Sequence, residues 1–277
     1  MKVLDKQSKD DPAYGVGGDK IVYSIEGDNT ELLKVMVDPD WKKMLFCDPS
    51  NVVYTRGDIQ PREFCFSVKN PDLVRKCDRK IFDVLKRLLI GGSICLTYYR
   101  AGEKGGIVGF AGNYPGSILP IRLFGETIFA RHNVFVAAYG DVALSIDFFH
   151  ETEALLSGFG VMMEKFTGDG ILFIHAGGDL FGVTLRDNEK MEVEYSSLVA
   201  WDNTVNVNVQ LSGLKSTMSG IGVFMTTLTG PGTVIIETMS LAKTRHHLMH
   251  GSYCGPLPLL VAQDLIGRMK RFFKLGV

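Results

Sequence analysis

The chain lacks the cysteine and proline patterns that mark several familiar protein classes. Its 277 residues include only 10 prolines and five cysteines. The cysteines are odd in number, irregularly spaced and without a CxxC pair, which argues against a disulfide framework or a zinc knuckle. We therefore expect a reducing compartment. The cysteines are Cys47, Cys65, Cys77, Cys95 and Cys254.

Targeting signals, membrane spans and charge of one sign are also lacking. The first 20 residues carry four aspartates and no apolar stretch, whereas a signal peptide needs such a stretch and a mitochondrial presequence avoids acids. No run approaches the roughly 18 apolar residues of a membrane-spanning helix. The formal net charge of -1 gives no overall attraction to nucleic acid or anionic membrane. The sequence predicts a soluble, cytoplasmic chain.

Glycine is abundant, with 31 residues, and part of it follows a repeat. The strings LIGGS, LSGFG and MSGIG begin at residues 89, 156 and 218 and place Gly91, Gly158 and Gly220 67 and 62 residues apart. This spacing is too long for a solenoid and suits a small β-domain. Glycine at such positions is typical of turns and close packing. We predict structural turns at Gly91, Gly158, Gly220, Gly222, Gly230 and Gly232.

Short apolar and β-branched runs separated by turn residues continue from residue 21 to residue 239, which predicts a mostly β fold. We divide the chain into a flexible lead (1–19), a first β-unit with an inserted helix near 72–89 (20–118), a second unit (119–178), a third unit (179–243) and a helical tail (244–277). In the tail, Val261, Leu265, Met269 and Phe272 share one face of an amphipathic helix. We expect that face to dock on the protein or on a partner.

Two groups of residues resemble a known family. The first comprises Gly-Leu-Lys-Ser at 213–216, Gly220, Gly222, Leu-Thr-Gly-Pro-Gly at 228–232 and Ser-Leu-Ala at 240–242. The second is Tyr-Pro-Gly at 114–116 with Pro120. Together they resemble the altered-inheritance-of-mitochondria (mitochondrial biogenesis) family over about 30–242. The resemblance implies a fold similar to the tryptophan RNA-binding attenuation protein: three β-sandwich units of double-stranded β-helix type, with short helices in the links, and trimers forming a pseudo-ninefold ring. It implies no catalytic residues and leaves a mitochondrial location open.

One histidine cluster is a weak candidate for a metal site. In a helix, His246, His250 and Cys254 would lie on one face at four-residue spacing. Gly251 interrupts such a helix, and no HExxH glutamate accompanies it. We favour an interface or surface role for these side chains and expect no cofactor. No phosphate-loop, GxSxG or cysteine-protease signature is present.

These observations favour a non-enzymatic homotrimeric assembly or scaffold protein. A first alternative is an RNA-binding ring that uses the basic stretches at 62–87 and 268–274, although a solvated helix face explains such stretches more simply. The second alternative is a small-ligand or metal-dependent enzyme. Besides the chain itself, the tail helix is the expected contact for an unknown protein partner.

Overall fold

A computed structural model of the chain describes residues 1–9, 11–65, 95–148, 162–211, 224–241, 243, 244 and 248. The fold in this part of the chain is mostly β, as the sequence predicts. The inserted helix near 72–89, nearly all of the helical tail and four of the predicted turns lie outside the described residues. Those turns are Gly91, Gly158, Gly220 and Gly222.

Seventeen strands form the framework of the described part of the chain. They are β1 (Lys2–Val3), β2 (Gly15–Val16), β3 (Asp19–Lys20), β4 (Val22–Glu26), β5 (Leu32–Val37), β6 (Leu45–Cys47), β7 (Val52–Cys65), β8 (Cys95–Ala111), β9 (Gly116–Arg131), β10 (Phe135–Phe148), β11 (Met162–Gly177), β12 (Leu180–Leu185), β13 (Lys190–Glu194), β14 (Leu198–Asp202), β15 (Asn206–Leu211), β16 (Phe224–Thr229) and β17 (Gly232–Glu237). Short 3-10 helices precede β2, β7 and β14.

Several strands are longer than the sequence predicts. Strands β8, β9 and β10 each join two apolar runs that we expected to be separate, because Gly105, Gly125 and Gly140 lie inside the strands at positive φ. Glycine tolerates positive φ without breaking the ladder, so it bends a strand where a turn seemed indicated. One consequence is that the predicted unit boundary at 118–119 falls inside β9. Another is that β7 continues without a break to Cys65.

The predicted flexible lead at 1–19 is wrong for the residues described there. Strand β1 pairs with β9, and the N–H of Ile25 donates to Lys6 O at 2.7 Å, so this segment covers the edges of β9 and β4. Leu4 and Tyr14 are buried in the core. The mostly polar composition of residues 1–19 led to the prediction of a flexible segment although a few of its side chains are apolar. The segment pairs with the sheet because an unpaired sheet edge offers hydrogen-bonding partners to a neighbouring segment.

The same strand pairing occurs three times along the chain. In the first strand group (22–111), β8 lies between β7 and β5–β6; in the second (116–177), β11 lies between β10 and β9. In the third (180–237), β17 lies between β14 and β12, and β16 lies between β15 and β13. All of these pairs are antiparallel.

The strand groups are joined by two junctions of one design. Strand β10 pairs with β6 of the first group through Ala137–Cys47, Ala138–Phe46 and Tyr139–Leu45. Strand β14 pairs with β9 of the second group through Ala200–Ala130, Trp201–Phe129 and Asp202–Ile128. In both junctions a β-bulge immediately precedes the paired residues, at 135/137 and at 198/200. The main sheet therefore runs continuously through all three groups.

Three apolar clusters fill the spaces between the sheets. The first lies between the first and second groups and contains Leu33, Phe110 and Phe173. The second cluster draws residues from all three groups, mostly from the second. The third cluster surrounds Trp201 in the last group and includes Met163 of the second group. No helix among the described residues is long and apolar enough to cross a membrane.

Candidate functional site

Most of the predicted site residues fall outside the described part of the chain. His246, His250 and Cys254 are among them, so the metal interpretation is not tested by the structure. Gly230 and Gly232 are described: Gly230 lies in the link between β16 and β17, and Gly232 begins β17 with a φ of 144°. Within the described residues, no three His, Cys, Asp or Glu side chains group together as metal ligands would.

A buried ion pair joins the ends of two strands in the described core. Arg131, at the end of β9, contacts Glu237, at the end of β17, with 2.6 Å between Nη1 and Oε1. The side chain of Glu237 is fully buried and that of Arg131 is 12% exposed. The other carboxylate oxygen accepts the N–H of Gly177 at 2.7 Å, and Arg131 also donates to the carbonyl oxygen of Ser196. The pair thus links the second and third strand groups.

An aromatic pair lies next to this ion pair. Tyr114 hydrogen-bonds to Arg131, and its ring meets the imidazole of His175 edge-on, with the ring centroids 4.7 Å apart. Gly116 begins β9 against the main chain of Ala176, where a Cβ atom would overlap the carbonyl group. The Tyr-Pro-Gly motif at 114–116 therefore supplies a ring to the polar cluster and a close backbone contact between β9 and β11.

The environment of these groups fixes their charge states. Burial lowers the pKa of His175 to about 4, so the imidazole is neutral near pH 7. Burial also acts to lower the pKa of Arg131, but the hydrogen bond and charge of Glu237 outweigh it and raise that pKa. Burial raises the pKa of the Tyr114 hydroxyl. The cluster therefore holds one ion pair between neutral rings.

These groups are suited to holding strands together. The ionised groups bond to each other and to the main chain, and the protonated Tyr114 hydroxyl bonds to Arg131. The thiol of Cys47 is buried, and burial raises its pKa to about 12. It is therefore unsuited to nucleophilic attack, which requires the thiolate.

Arg131, Glu237 and His175 are not among the site residues predicted from the sequence. Each is a single polar residue at or near the end of an otherwise apolar run, in TIFAR, TVIIETM and GILFIH respectively. Such residues resemble ordinary strand ends. A charged residue that closes a buried strand is the signal that would have found them, because a buried charge requires a partner.

A second feature concerns the residue that forms the β-bulge in each strand group. Val53, Val136 and Val199 are these residues, because the register of β7, β10 and β14 shifts by one at each of them. Val136 and Val199 are fully buried at the two junctions, whereas Val53 is 59% exposed. We call the surface around Val53 the head surface.

The opposite end of the chain shows the complementary difference. Leu33, Leu119 and Phe181 occupy matching positions, since they pair with Phe110, Ile174 and Ile236 on the central strands. Leu33 is fully buried and Leu119 is half-buried, but Phe181 is 52% exposed. We call the surface around Phe181 the tail surface.

Within the chain, residues that match the head and tail surfaces pack in the same clusters. Val136 and Leu33 belong to the first cluster. Val199 belongs to the second, against which Leu119 packs. Each strand group therefore covers a face of the group before it, and the two ends of the chain keep the uncovered faces.

The fold is shared with a solved structure. A crystal structure of a protein from Streptococcus pyogenes superposes with a TM-score of 0.64, covering 83% of this chain and 99% of that one at 17% sequence identity. At this identity the likeness concerns the fold alone. No curated protein matches the sequence.

A family model settles the relationship. The model described as mitochondrial biogenesis AIM24 matches residues 23–239, well over half of the chain. The match contains both groups of motif residues apart from the Ser-Leu-Ala string at 240–242. The chain belongs to the mitochondrial biogenesis AIM24 family.

Proposed function

We propose that this protein is a non-enzymatic scaffold of mitochondrial biogenesis that works as a closed homotrimer. Each chain would contribute three β-sandwich units of the kind found in the tryptophan RNA-binding attenuation protein. The family supports the link to mitochondria. The threefold recurrence of the strand pairing supports the three-unit division.

The single observation that carries the assembly is the exposure of Val53. The equivalent bulge residues, Val136 and Val199, are buried at the two internal junctions, where a preceding strand group covers them. Val53 belongs to the first strand group, so no preceding group covers it. Phe181 lacks the following group in the same way. The tail surface of one chain can supply what the head surface of the next is missing.

Such a contact is head-to-tail, and repeated head-to-tail contacts produce either a closed ring or an open filament. Closure removes every uncovered end, whereas a filament leaves two. The family resemblance implies closure by three chains, which gives nine strand groups in the ring.

The non-enzymatic part of the proposal is supported by how the described polar groups are used. Glu237 bonds to Arg131 and to the main chain, and Tyr114 bonds to Arg131. The RNA-binding and metal-dependent alternatives depend on segments outside the described residues, including most of 62–87. They would be favoured by salt-dependent retention on RNA or by a metal that purifies with the chain.

Placing a charge on the head surface should abolish assembly. The substitution Val53→Asp introduces a carboxylate where a neighbouring chain is expected to bury a valine, and burying an unpaired charge is strongly unfavourable. We expect the purified variant to elute and scatter light as a folded monomer while the parent chain is trimeric.

The matched control is Val22→Asp. Val22 is 39% exposed, and Lys2 of β1 occupies the matching position beside the second group, since Val22 pairs with Met36 and Lys2 pairs with Arg122. Lys2 is exposed although a junction is formed nearby, so the control should leave the trimer intact. A Val53→Asp variant with the parent's mass would show that the head surface is not the contact.

A further inference from the structure

Several strand edges have no partner strand among the described residues, and two of them correspond to strands that are paired inside the chain. One is the outer edge of β7 at Tyr54, Thr55 and Arg56, and the other is the outer edge of β13. None of the described main-chain hydrogen bonds uses residues 54–56 or 191–193 on that side. Exposed edges of this kind pair readily with a complementary strand.

The β7 edge corresponds to strands that are paired inside the chain. Tyr54 follows the bulge at 52/54 as Ala137 follows the bulge at 135/137 and Ala200 the one at 198/200. Ala137 and Ala200 are the first paired residues of the two junctions. Residues 54–56 are therefore the third copy of the incoming strand.

The β13 edge corresponds to the receiving strands. Cys47 lies five residues before Val52, the first residue at its bulge, and Ala130 lies five residues before Phe135. Counting back five from Leu198 gives Val193. A short 3-10 helix separates β13 from β14, as another separates β6 from β7.

These correspondences define a register. We propose that β7 of one chain pairs antiparallel with β13 of a second copy, with Tyr54 opposite Val193, Thr55 opposite Glu192 and Arg56 opposite Met191. This rests on the proposed trimer and specifies its contact. The pairing joins the main sheet of one chain to the three-stranded sheet of the next chain, which consists of β13, β16 and β15.

The composition of the pairing suits a contact between separately folded chains. The middle pair is apolar at both internal junctions, Ala138–Phe46 and Trp201–Phe129. At the proposed contact it is Thr55 with Glu192, both exposed in the single chain. A polar pair limits the apolar surface that each chain must expose before assembly.

Cysteine cross-linking tests the register. In the double variant Thr55→Cys with Glu192→Cys, directly opposed residues of neighbouring strands lie within the Cα separation that a disulfide spans. We expect a mild oxidant to convert most of the monomer band on a non-reducing gel to covalent dimers and trimers. A second double variant, Arg56→Cys with Met191→Cys, is needed because opposed residues of antiparallel strands alternate between hydrogen-bonded and non-hydrogen-bonded pairs, which differ in Cα separation. One of the two double variants therefore has each kind of pair.

Three controls isolate this result. Each single variant and the unsubstituted chain should stay monomeric on the gel, which excludes cross-links through native cysteines. The double variant Thr55→Cys with Lys190→Cys moves one cysteine two residues along the strand, beyond disulfide reach, and should not cross-link.

The outcomes separate this inference from the trimer itself. A parent chain that is trimeric by light scattering, with cross-links only in the displaced pair or in neither directed pair, would overturn the register and leave the trimer standing. A monomeric parent would overturn both.

Discussion

Removing the carboxylate of Glu237 should destabilise the protein by about 3–5 kcal/mol, the usual result of leaving one partner of a buried ion pair alone. In Glu237→Ala, Arg131 loses its only described carboxylate contact, and the N–H of Gly177 loses its acceptor. The loss is measured as the change in free energy of unfolding in urea, at one protein concentration because assembly contributes to stability.

Two further variants separate charge from hydrogen bonding. Glu237→Gln retains an oxygen acceptor for Gly177 but not the charge, so its loss should be smaller. The double variant Arg131→Met with Glu237→Leu removes both charges and should recover most of the stability, because apolar replacement of a buried pair is often neutral. A Glu237→Ala variant as stable as the parent would show that the ion pair is unimportant.

Acidification should weaken the fold through His175. Its pKa is about 4 in the folded protein and about 6.5 in an unfolded chain. The unfolded state therefore binds more protons between these values, and stability falls as the pH falls from about 6.5 towards about 4. Between about pH 7.5 and pH 5 the contribution is on the order of 2 kcal/mol.

The variant His175→Gln should lose this part of the pH dependence. Urea unfolding at the two pH values, for parent and variant at equal concentration, gives the comparison. His132→Gln is the control, since His132 is only half-buried and its replacement should leave the pH dependence largely in place. If His175→Gln and the parent respond equally to pH, the imidazole does not titrate as its burial requires.

The sequence predicts the strand content well because alternating apolar residues and turn residues are local signals. It fails at the lengths of β8, β9 and β10, where glycine bends a strand. Whether a glycine bends or ends a strand depends on the partner strand, which local sequence does not specify. The core role of residues such as Leu4 and Tyr14 was missed for a related reason, since their burial depends on sheet edges far along the chain.

The candidate site was harder to predict than the fold. Arg131 and Glu237 lie 106 residues apart in the chain, and only the pairing of strands across two groups brings them together. The head and tail surfaces are a similar case. Val53 differs from Val136 and Val199 in what covers it, and the three residue types are identical.

The mass of the native assembly tests the central claim most directly. Static light scattering of the full-length chain at micromolar concentration should give close to three times the chain mass of 30.6 kDa. The measured mass should stay the same on dilution within the micromolar range. A monodisperse monomer at that concentration would contradict the ring and the function built on it.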